Sequence, residues 1–178
     1  VMKKNRLVNI QIKIIAYVLF VNLFSLKLHS QIGKEYFNKA NEQSDSGNYE
    51  GAIINLTKCI YLEPSLAEAY YNRGLAKADI KDYEGAILDF DKCILLNPNL
   101  IDAFYNRGRS KYFVSDLLGC ILDNNIAIMY KPTFALAYIN RGLAQALLGN
   151  INESCWDFCK AKELNAPHAQ EILNYYCK

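Results

Sequence analysis

Apolar and small residues recur every three or four positions over short segments of the chain, and polar or proline-containing breaks separate these segments. In the segment 67–80, Tyr70, Gly74 and Lys77 keep this spacing without an intervening proline. After the polar pair at 81–82, a second segment, 83–96, carries the stripe Tyr83, Ala86, Ile87, Phe90, Cys93 and Ile94. The stripe ends at Asn97-Pro98-Asn99, where proline cannot continue a helix. The pattern predicts two helices joined by a short turn.

This helix pair recurs with a period of 34 residues. Units 33–66, 67–100, 101–134 and 135–168 follow one another without an insertion, and three of them open with AEAYYNRGLAKA, IDAFYNRGRSKY and ALAYINRGLAQA. A fixed period of this length is typical of stacked-repeat proteins. The sequence therefore predicts a repeat domain at 31–168.

Polar residues mark the predicted helix starts. Asn48, Asp82, Asp116 and Asn150 precede the second helix of each unit, where a short side-chain acceptor can bind free N–H groups. Ser65, Asn99 and Thr133 occupy comparable places before the next first helix, each directly after one of the prolines Pro64, Pro98 and Pro132. Both sets are expected to cap helices.

These repeats resemble the tetratricopeptide repeat family, in residues 33–168. The matching residues are an aromatic (Tyr36, Tyr70, Phe104, Tyr138), a glycine (Gly74, Gly108, Gly142, with Ala40 in the first unit) and an Ala-x3-Phe element. That element is Ala86/Phe90, and it weakens to Ala52/Leu56, Cys120/Asn124 and Ser154/Phe158. The chain departs from the family pattern at two repeat positions. Arginine stands where leucine is usual (Arg73, Arg107, Arg141), and lysine stands where tyrosine is usual (Lys77, Lys111). The resemblance implies an all-α, right-handed superhelix of stacked antiparallel helix pairs. Residues 169–178 would then form a capping helix over the last pair.

The first 30 residues differ from the rest of the chain. Lys3, Lys4 and Arg6 form a basic start, an apolar run covers 14–26, and the small residue Ser30 follows. This order predicts a signal peptide at 1–30 and export to the periplasm or cell envelope. The alternative is an uncleaved anchor in the inner membrane through residues 14–26. Thirteen helical residues span only about 20 Å, less than a hydrocarbon core of about 30 Å.

Charge excludes one class of partner. The whole chain has a net charge of +2, but from Gln31 onward 15 Lys and Arg stand against 18 Asp and Glu, a net charge of −3. A nucleic-acid interface needs a basic patch or stripe. We therefore expect no nucleic-acid partner, and a membrane contact only if the N-terminal segment is retained.

The sequence contains no recognisable catalytic or cofactor motif. Gly-rich phosphate loops, HExxH, GxSxG and CxxC are all missing from it, and only two histidines occur. We therefore expect no enzymatic activity, no cofactor and no small-molecule substrate. A zinc site from Cys155, Cys159, His168 and Cys177 has suitable residue types but no standard ligand spacing, so no metal is predicted.

The six cysteines fall into two groups. Cys59, Cys93 and Cys120 lie in small-residue packing positions of the repeat and are expected to be buried thiols without a partner. Cys155 and Cys159 are four residues apart on one helix face. Either of them could bridge to Cys177 in an oxidising compartment.

Arginine and aspartate recur together in three units. Asp89, Asp123 and Asp157 each follow the arginine of their own unit by 16 residues, giving the pairs Arg73–Asp89, Arg107–Asp123 and Arg141–Asp157. The first unit has Lys39 and Asn55 there and lacks both members. We expect bidentate ion pairs that tie the two helices of a repeat together.

Asn72, Asn106 and Asn140 form a row at 34-residue steps on the first helices. In the proteins this chain resembles, first helices line the concave face, and in several of them such a row binds the backbone of an extended peptide. The alternative is that the three asparagines pack against the neighbouring unit. Phe37, Tyr71, Tyr105 and Ile139 lie next to the row, as contact area for the peptide or as inter-repeat core. Chaperone-binding members of the family hold the C-terminal carboxylate of a peptide with Lys and Arg side chains on successive first helices. At one of these places this chain has Asp102, which would repel a carboxylate, so binding of a chaperone C-terminus is disfavoured.

The sequence thus predicts a non-enzymatic scaffold of the cell envelope that binds a protein or an extended peptide in its concave groove. Two alternatives stand beside it. One is a structural subunit that docks laterally in a larger envelope assembly, which would show an apolar patch on the convex side or the ends. The other is a redox or metal protein that uses the C-terminal cysteines.

Overall fold

The structure is a computed structural model that describes the backbone of residues 2–178 and the side chains of residues 13, 17–22, 24, 25 and 27–178. Nine α-helices make up the regular structure of residues 2–178, and consecutive helices pack as antiparallel pairs. The predicted all-α stack of helix pairs is confirmed. The first pair is α1 (Met2–Asp45) with α2 (Tyr49–Leu62), and the second is α3 (Ala67–Asp79) with α4 (Tyr83–Leu96). The third pair is α5 (Ile101–Phe113) with α6 (Leu117–Tyr130), the fourth is α7 (Ala135–Leu147) with α8 (Ile151–Glu163), and α9 (Ala169–Tyr176) follows.

The turn inside each pair uses a left-handed residue followed by a capping residue. Gly47, Lys81, Ser115 and Gly149 lie at the same place in the four pairs and have φ between 64° and 83°. Glycine adopts this conformation without strain, which suits the turns at Gly47 and Gly149. In three pairs the next residue then caps the second helix: Asn48, Asp82 and Asp116 accept hydrogen bonds from the N–H groups of Gly51, Gly85 and Gly119. Asn150 makes no such side-chain bond.

The predicted caps of the later first helices are wrong. Instead of Ser65, Asn99 and Thr133, the capping positions of α3, α5 and α7 are Leu66, Leu100 and Phe134, without side-chain cap bonds. These three residues have an apolar role. Leu66 and Leu100 pack against buried clusters, and the Phe134 ring lies 4.8 Å from that of Tyr105. Packing between repeats occupies the position that sequence reasoning assigned to a polar cap.

Small residues let the helices of a pair approach closely. In repeats two and four, a Cβ at Gly74 or Gly142 would lie 2.8 or 2.6 Å from the ring of Phe90 or Phe158, and both rings are fully buried. In the third repeat Asn124 stands in place of the phenylalanine, and a Cβ at Gly108 would lie 2.8 Å from its amide nitrogen. The Asn124 amide nitrogen donates to the Cys120 carbonyl at 2.8 Å, and its buried oxygen has no partner. The weakened Ala-x3-Phe element of that repeat thus leaves a polar group in the core.

Cys59, Cys93 and Cys120 are buried and free, which confirms the prediction for these thiols. Burial raises the pKa of Cys59 and of Cys93 to about 11 and that of Cys120 to about 12. A thiol with such a pKa is almost entirely protonated at neutral pH, and the thiolate is the reactive form. Cys59 and Cys93 therefore act as small apolar packing residues, whereas the Cys120 thiol also donates to the Asn140 carbonyl at 3.7 Å.

The last helix, α9, covers the open side of α8. Ala169 is buried there, and the Tyr176 ring lies 5.5 Å from the Phe158 ring. A disulfide joins Cys155 on α8 to Cys177 directly after α9, with Cα atoms 5.7 Å apart. Cys159 is exposed and free. The sequence left open whether Cys155 or Cys159 bridges to Cys177, and in the structure Cys155 forms this disulfide.

The apolar run at 14–26 lies on α1, which continues without a break into the first repeat. Three described side chains of the run, Tyr17, Phe20 and Phe24, are largely exposed. Within the described residues, no helix has both the length and the apolar character needed to cross a membrane.

Candidate functional site

Contacts between neighbouring repeats identify the concave face. First helices contact one another, α1 with α3, α3 with α5 and α5 with α7, whereas the second helices make no comparable contacts within residues 2–178. Helices on the inner side of a curved stack lie closer together than those on the outer side. The first helices therefore line the groove.

The asparagine row lies on this face, and all three side chains are half-buried. Two of them donate to the preceding repeat: the Asn72 amide to Asn41 Oδ1 at 2.9 Å, and the Asn106 amide to the Tyr71 hydroxyl at 3.1 Å. The buried amide nitrogen of Asn140 has no partner. In the described part of the chain, no hydrogen bond uses the Oδ1 atom of any of the three. The row therefore links repeats through its nitrogens and leaves its oxygens free as acceptors.

The four residues next to the row lie half-buried between helices. The Tyr71 ring is 5.9 Å from that of Phe90, and Phe37 and Ile139 pack against buried clusters. Burial, as the largest effect, raises the pKa of Tyr71 to about 12, and burial also raises that of Tyr105. Both phenols are therefore neutral over the physiological range, and the Tyr71 hydroxyl accepts its hydrogen bond from Asn106 in this form. The structure thus gives Phe37, Tyr71, Tyr105 and Ile139 inter-repeat contacts in addition to their place beside the groove.

Several groove residues were missed by sequence reasoning. A cavity of about 300 Å³ lies between α1 and α3, where Asn41, Asp45 and Asp79 contribute polar groups beside the predicted Asn72. Arg109 lines a smaller neighbouring cavity between α3 and α5. The sequence contains a signal for Asn41 and Asp45. They follow Asn38, the first-unit equivalent of the asparagine row, by three and seven residues and therefore lie on the same helix face.

The arginine–aspartate pairs lie between the two helices of their own repeat. Each aspartate receives the arginine Nε at 2.9 Å and the terminal nitrogen at 2.5 to 2.6 Å, so each pair is bidentate. The three aspartates Asp89, Asp123 and Asp157 are buried. The second terminal nitrogen of each arginine reaches the preceding repeat, at Thr57, Asp91 or Asn125. These groups hold helices in place, and each of the three guanidinium nitrogens of every arginine already has a partner.

Two lysines that sequence reasoning treated only as departures from the family pattern complete this network. Lys77 Nζ lies 2.8 Å from Asp89 Oδ2, and Lys111 Nζ lies 2.9 Å from Asp123 Oδ2. The equivalent residue in the fourth repeat is Gln145. Among the residues with described side chains, Asp157 is therefore paired with Arg141 alone.

A row of exposed apolar side chains follows the outer face of the second helices. Its members, which we name the outer stripe, are Ile54, Leu88, Leu122 and Trp156 at one position of the repeat and Tyr61, Leu95 and Met129 seven residues later. All are at least half exposed. Soluble monomers seldom expose a contiguous apolar patch of several hundred Å² without a function for it.

Within the described residues, no cluster of three or more His, Cys, Asp or Glu side chains could hold a metal ion. Of the four residues considered for zinc, Cys155 and Cys177 are joined in the disulfide. His168 pairs with Glu171 at the surface at 3.2 Å.

Comparisons with known proteins match part of the chain to a repeat family. Sequence models described as tetratricopeptide repeat match residues 36–66 and 67–100. No curated protein matches the chain significantly.

Solved structures share the fold. MamA residues 41 to the end, from Desulfovibrio magneticus RS-1, has a TM-score of 0.77 and 25% identity, with 81% of this chain and 82% of that chain covered. YrrB, described as a TPR protein with an unusual peptide-binding site, has a TM-score of 0.66 and 24% identity over 72% of this chain and 66% of that one. The first TPR domain of Spaghetti, bound to the HSP90 peptide SRMEEVD, has a TM-score of 0.65 and 22% identity over 67% and 95%.

The repeat length and the helix pairs agree with these matches, and proteins built from such repeats generally act as protein-interaction scaffolds rather than as enzymes. Residues 36–100 match the tetratricopeptide repeat family, and the stack of helix pairs has the fold of tetratricopeptide repeat proteins.

Proposed function

We propose that the protein is a non-enzymatic scaffold that binds an extended peptide segment of a partner protein in its concave groove. The observation that carries this proposal is the set of free Oδ1 acceptors on Asn72, Asn106 and Asn140, one in each of three successive first helices. An extended peptide presents backbone N–H groups at regular intervals, which such a row can receive. Relatives in fold that bind peptides, such as YrrB, support it as well.

Charge in the groove restricts the partner. Asp79 lines both cavities beside the row, Asp45 lines the larger one, and Asp102 is exposed on α5. Carboxylates at these places repel an acidic peptide end such as that of SRMEEVD, and they favour a neutral or basic segment. The partner in this proposal therefore differs from the peptide bound by the Spaghetti domain.

Asn140 offers the sharpest test of the groove because its amide nitrogen has no partner among the described side chains. Asn140→Ala is expected to leave the midpoint of thermal unfolding unchanged or slightly higher and to weaken peptide binding about fivefold, as for one neutral hydrogen bond. The triple variant with Asn72→Ala and Asn106→Ala should weaken binding by more than tenfold. Peptides captured from a library by the wild-type chain would serve as probes, with affinity and circular dichroism measured together.

The outer stripe provides the matched control. Leu88→Glu with Leu122→Glu changes two exposed residues on the opposite face of the stack. This variant should bind the captured peptides as the wild type does. Equal affinity of the wild type and the triple asparagine variant would place the peptide elsewhere, and lost helicity in the triple variant would make the row a packing feature.

The outer stripe also supports a second function, lateral docking as a structural subunit in a larger assembly. Seven apolar side chains at regular steps would expose a continuous surface for another protein. In that case the Leu88→Glu and Leu122→Glu variant, rather than the asparagine variant, would lose its partner.

We also propose that the protein is exported to a bacterial envelope. The basic, apolar and small-residue order of 1–30 supports export, and so does the Cys155–Cys177 disulfide, since disulfides persist in oxidising compartments. The cleaved chain is expected to begin at Gln31. Intact mass of the protein recovered from the envelope fraction measures this, and a product that retains Lys3 and Lys4 would contradict cleavage.

A further inference from the structure

The fourth repeat differs from the second and third at one buried ion-pair network. In those two repeats each aspartate binds an arginine and a lysine, and the lysine ammonium lies 2.8 or 2.9 Å from Oδ2. In the fourth repeat Gln145 replaces the lysine, while Arg141 and Asp157 remain paired as in the other repeats. Asp157 Oδ2 therefore receives one donor fewer than its two equivalents.

Three further differences lie at the same place. Glu153 replaces the glycine of the other repeats, Trp156 replaces an aliphatic residue, and the buried Oε1 atom of Gln145 has no hydrogen-bond partner in the described part of the chain. Arg141, Gln145, Glu153, Trp156 and Asp157 line a cavity of about 500 Å³. The cavity is thus lined by one guanidinium, that of Arg141, and by the carboxylates of Asp157 and Glu153. In the second repeat, by contrast, Asp89 alone is paired with two cations, Arg73 and Lys77.

The second and third repeats show which chemical group the fourth repeat lacks. Asp89 and Asp123 each bind a guanidinium and a primary ammonium together, so the arginine does not prevent the ammonium from binding. An ammonium has three donors, and Asp157, Gln145 and Glu153 provide oxygen acceptors. Burial raises the pKa of Asp157 above its ordinary value, as expected for a carboxylate with too few partners.

Trp156 supplies an apolar surface at the cavity. Half of this residue is exposed, and Lys160 Nζ lies 5.8 Å from the ring centroid while pairing with Glu163 at 2.6 Å. The indole thus already has one aliphatic cation beside it. A face of this kind attracts a cation and covers a methylene stem.

We propose that this cavity binds a primary ammonium on an aliphatic stem, the chemistry of a lysine side chain, with Asp157 and Gln145 accepting its N–H groups and Trp156 covering the stem. That the lysine belongs to a protein partner rests on the proposed scaffold function. The ammonium site itself depends only on the geometry of the fourth repeat, and a small-molecule probe tests it without any partner.

Trp156 is the only tryptophan of the chain, so its fluorescence reports on the cavity directly. Titration with n-butylammonium at constant ionic strength is expected to give a saturable change with millimolar affinity, as suits so small a ligand. Gln145→Lys places the chain's own ammonium in the site, as in the second and third repeats, and should weaken the response at least tenfold. A response of Gln145→Lys equal to that of the wild type, or a wild-type response that never saturates, would overturn the proposal.

Two further probes identify the class of ligand. Nα-acetyl-lysine amide carries only the side-chain ammonium, whereas glycinamide carries only the α-ammonium, and the first is expected to bind at least fivefold more tightly. Tighter binding of glycinamide would overturn the assignment to lysine. Peptide affinity of Asn140→Ala and amine affinity of Gln145→Lys are separate measurements, so failure of the ammonium site is distinguishable from failure of the groove.

Discussion

Replacing Arg141 by methionine is expected to lower the free energy of unfolding by about 3–5 kcal/mol, the typical loss when one partner of a buried ion pair is removed. Asp157 is 1% exposed, and Arg141 is its ion-pair partner in the described part of the chain. Methionine keeps much of the volume of the arginine stem. The loss therefore reports on the charge left behind in the core, and chemical denaturation measures it.

Arg73→Met in the second repeat is the matched control. Asp89 keeps Lys77 at 2.8 Å after that change, so its charge remains compensated. We expect a loss of about 1–3 kcal/mol, the range for removing charge-assisted hydrogen bonds. Equal losses of stability for Arg73→Met and Arg141→Met would contradict the inference that Lys77 compensates the charge of Asp89. Adding Gln145→Lys to Arg141→Met should recover part of the loss.

The stability lost in Arg141→Met is expected to depend on pH, because it depends on whether Asp157 is ionised. Burial raises the pKa of this carboxyl in the folded state, and Arg141 opposes that shift. Without the arginine the folded-state pKa rises further above the unfolded value, so the folded variant binds a proton more readily than the unfolded chain. The difference in stability between variant and wild type should be largest at neutral pH and shrink as the pH falls toward about 4, the ordinary range of Asp.

The helix pairs could be predicted from the sequence because the apolar spacing and the period agree at every repeat. Predicted segments 67–80 and 83–96 correspond to α3 (Ala67–Asp79) and α4 (Tyr83–Leu96). The arginine–aspartate pairs could be found because both members recur together. In each case a regular spacing along the chain matches a regular distance in the fold.

Features that depend on the packing between repeats were not predictable in the same way. Ser65, Asn99 and Thr133 have good capping chemistry, yet the next residue takes the capping position because its apolar side chain packs into the interface. The lysines at 77 and 111 could be aligned from the sequence, but their contact with an aspartate on the other helix requires the crossing geometry. The exposure of the outer stripe likewise follows only once the second helices lie on the outside.

Removing the Cys155–Cys177 disulfide is the second change with a large expected effect. Cys177→Ser is the better variant, because Cys155→Ser would leave the exposed Cys159 free to bridge to Cys177. The bridge closes a segment of 22 residues, for which the chain-entropy model gives a loss of about 3 kcal/mol. The same loss is expected when the wild type is reduced, and reduction should change the Cys177→Ser variant little.

The loss should be concentrated in α9, which has 8 residues. Isolated helices shorter than about 12–15 residues are marginal in water, so α9 depends on its attachment to α8. Hydrogen exchange of the amides at 169–176 should accelerate strongly in Cys177→Ser, while α3 and α4 keep their protection. Cys159→Ser is the control and should resemble the wild type. Unchanged exchange in α9 after loss of the bridge would mean that the contacts of Ala169 and Tyr176 with α8 hold the helix by themselves.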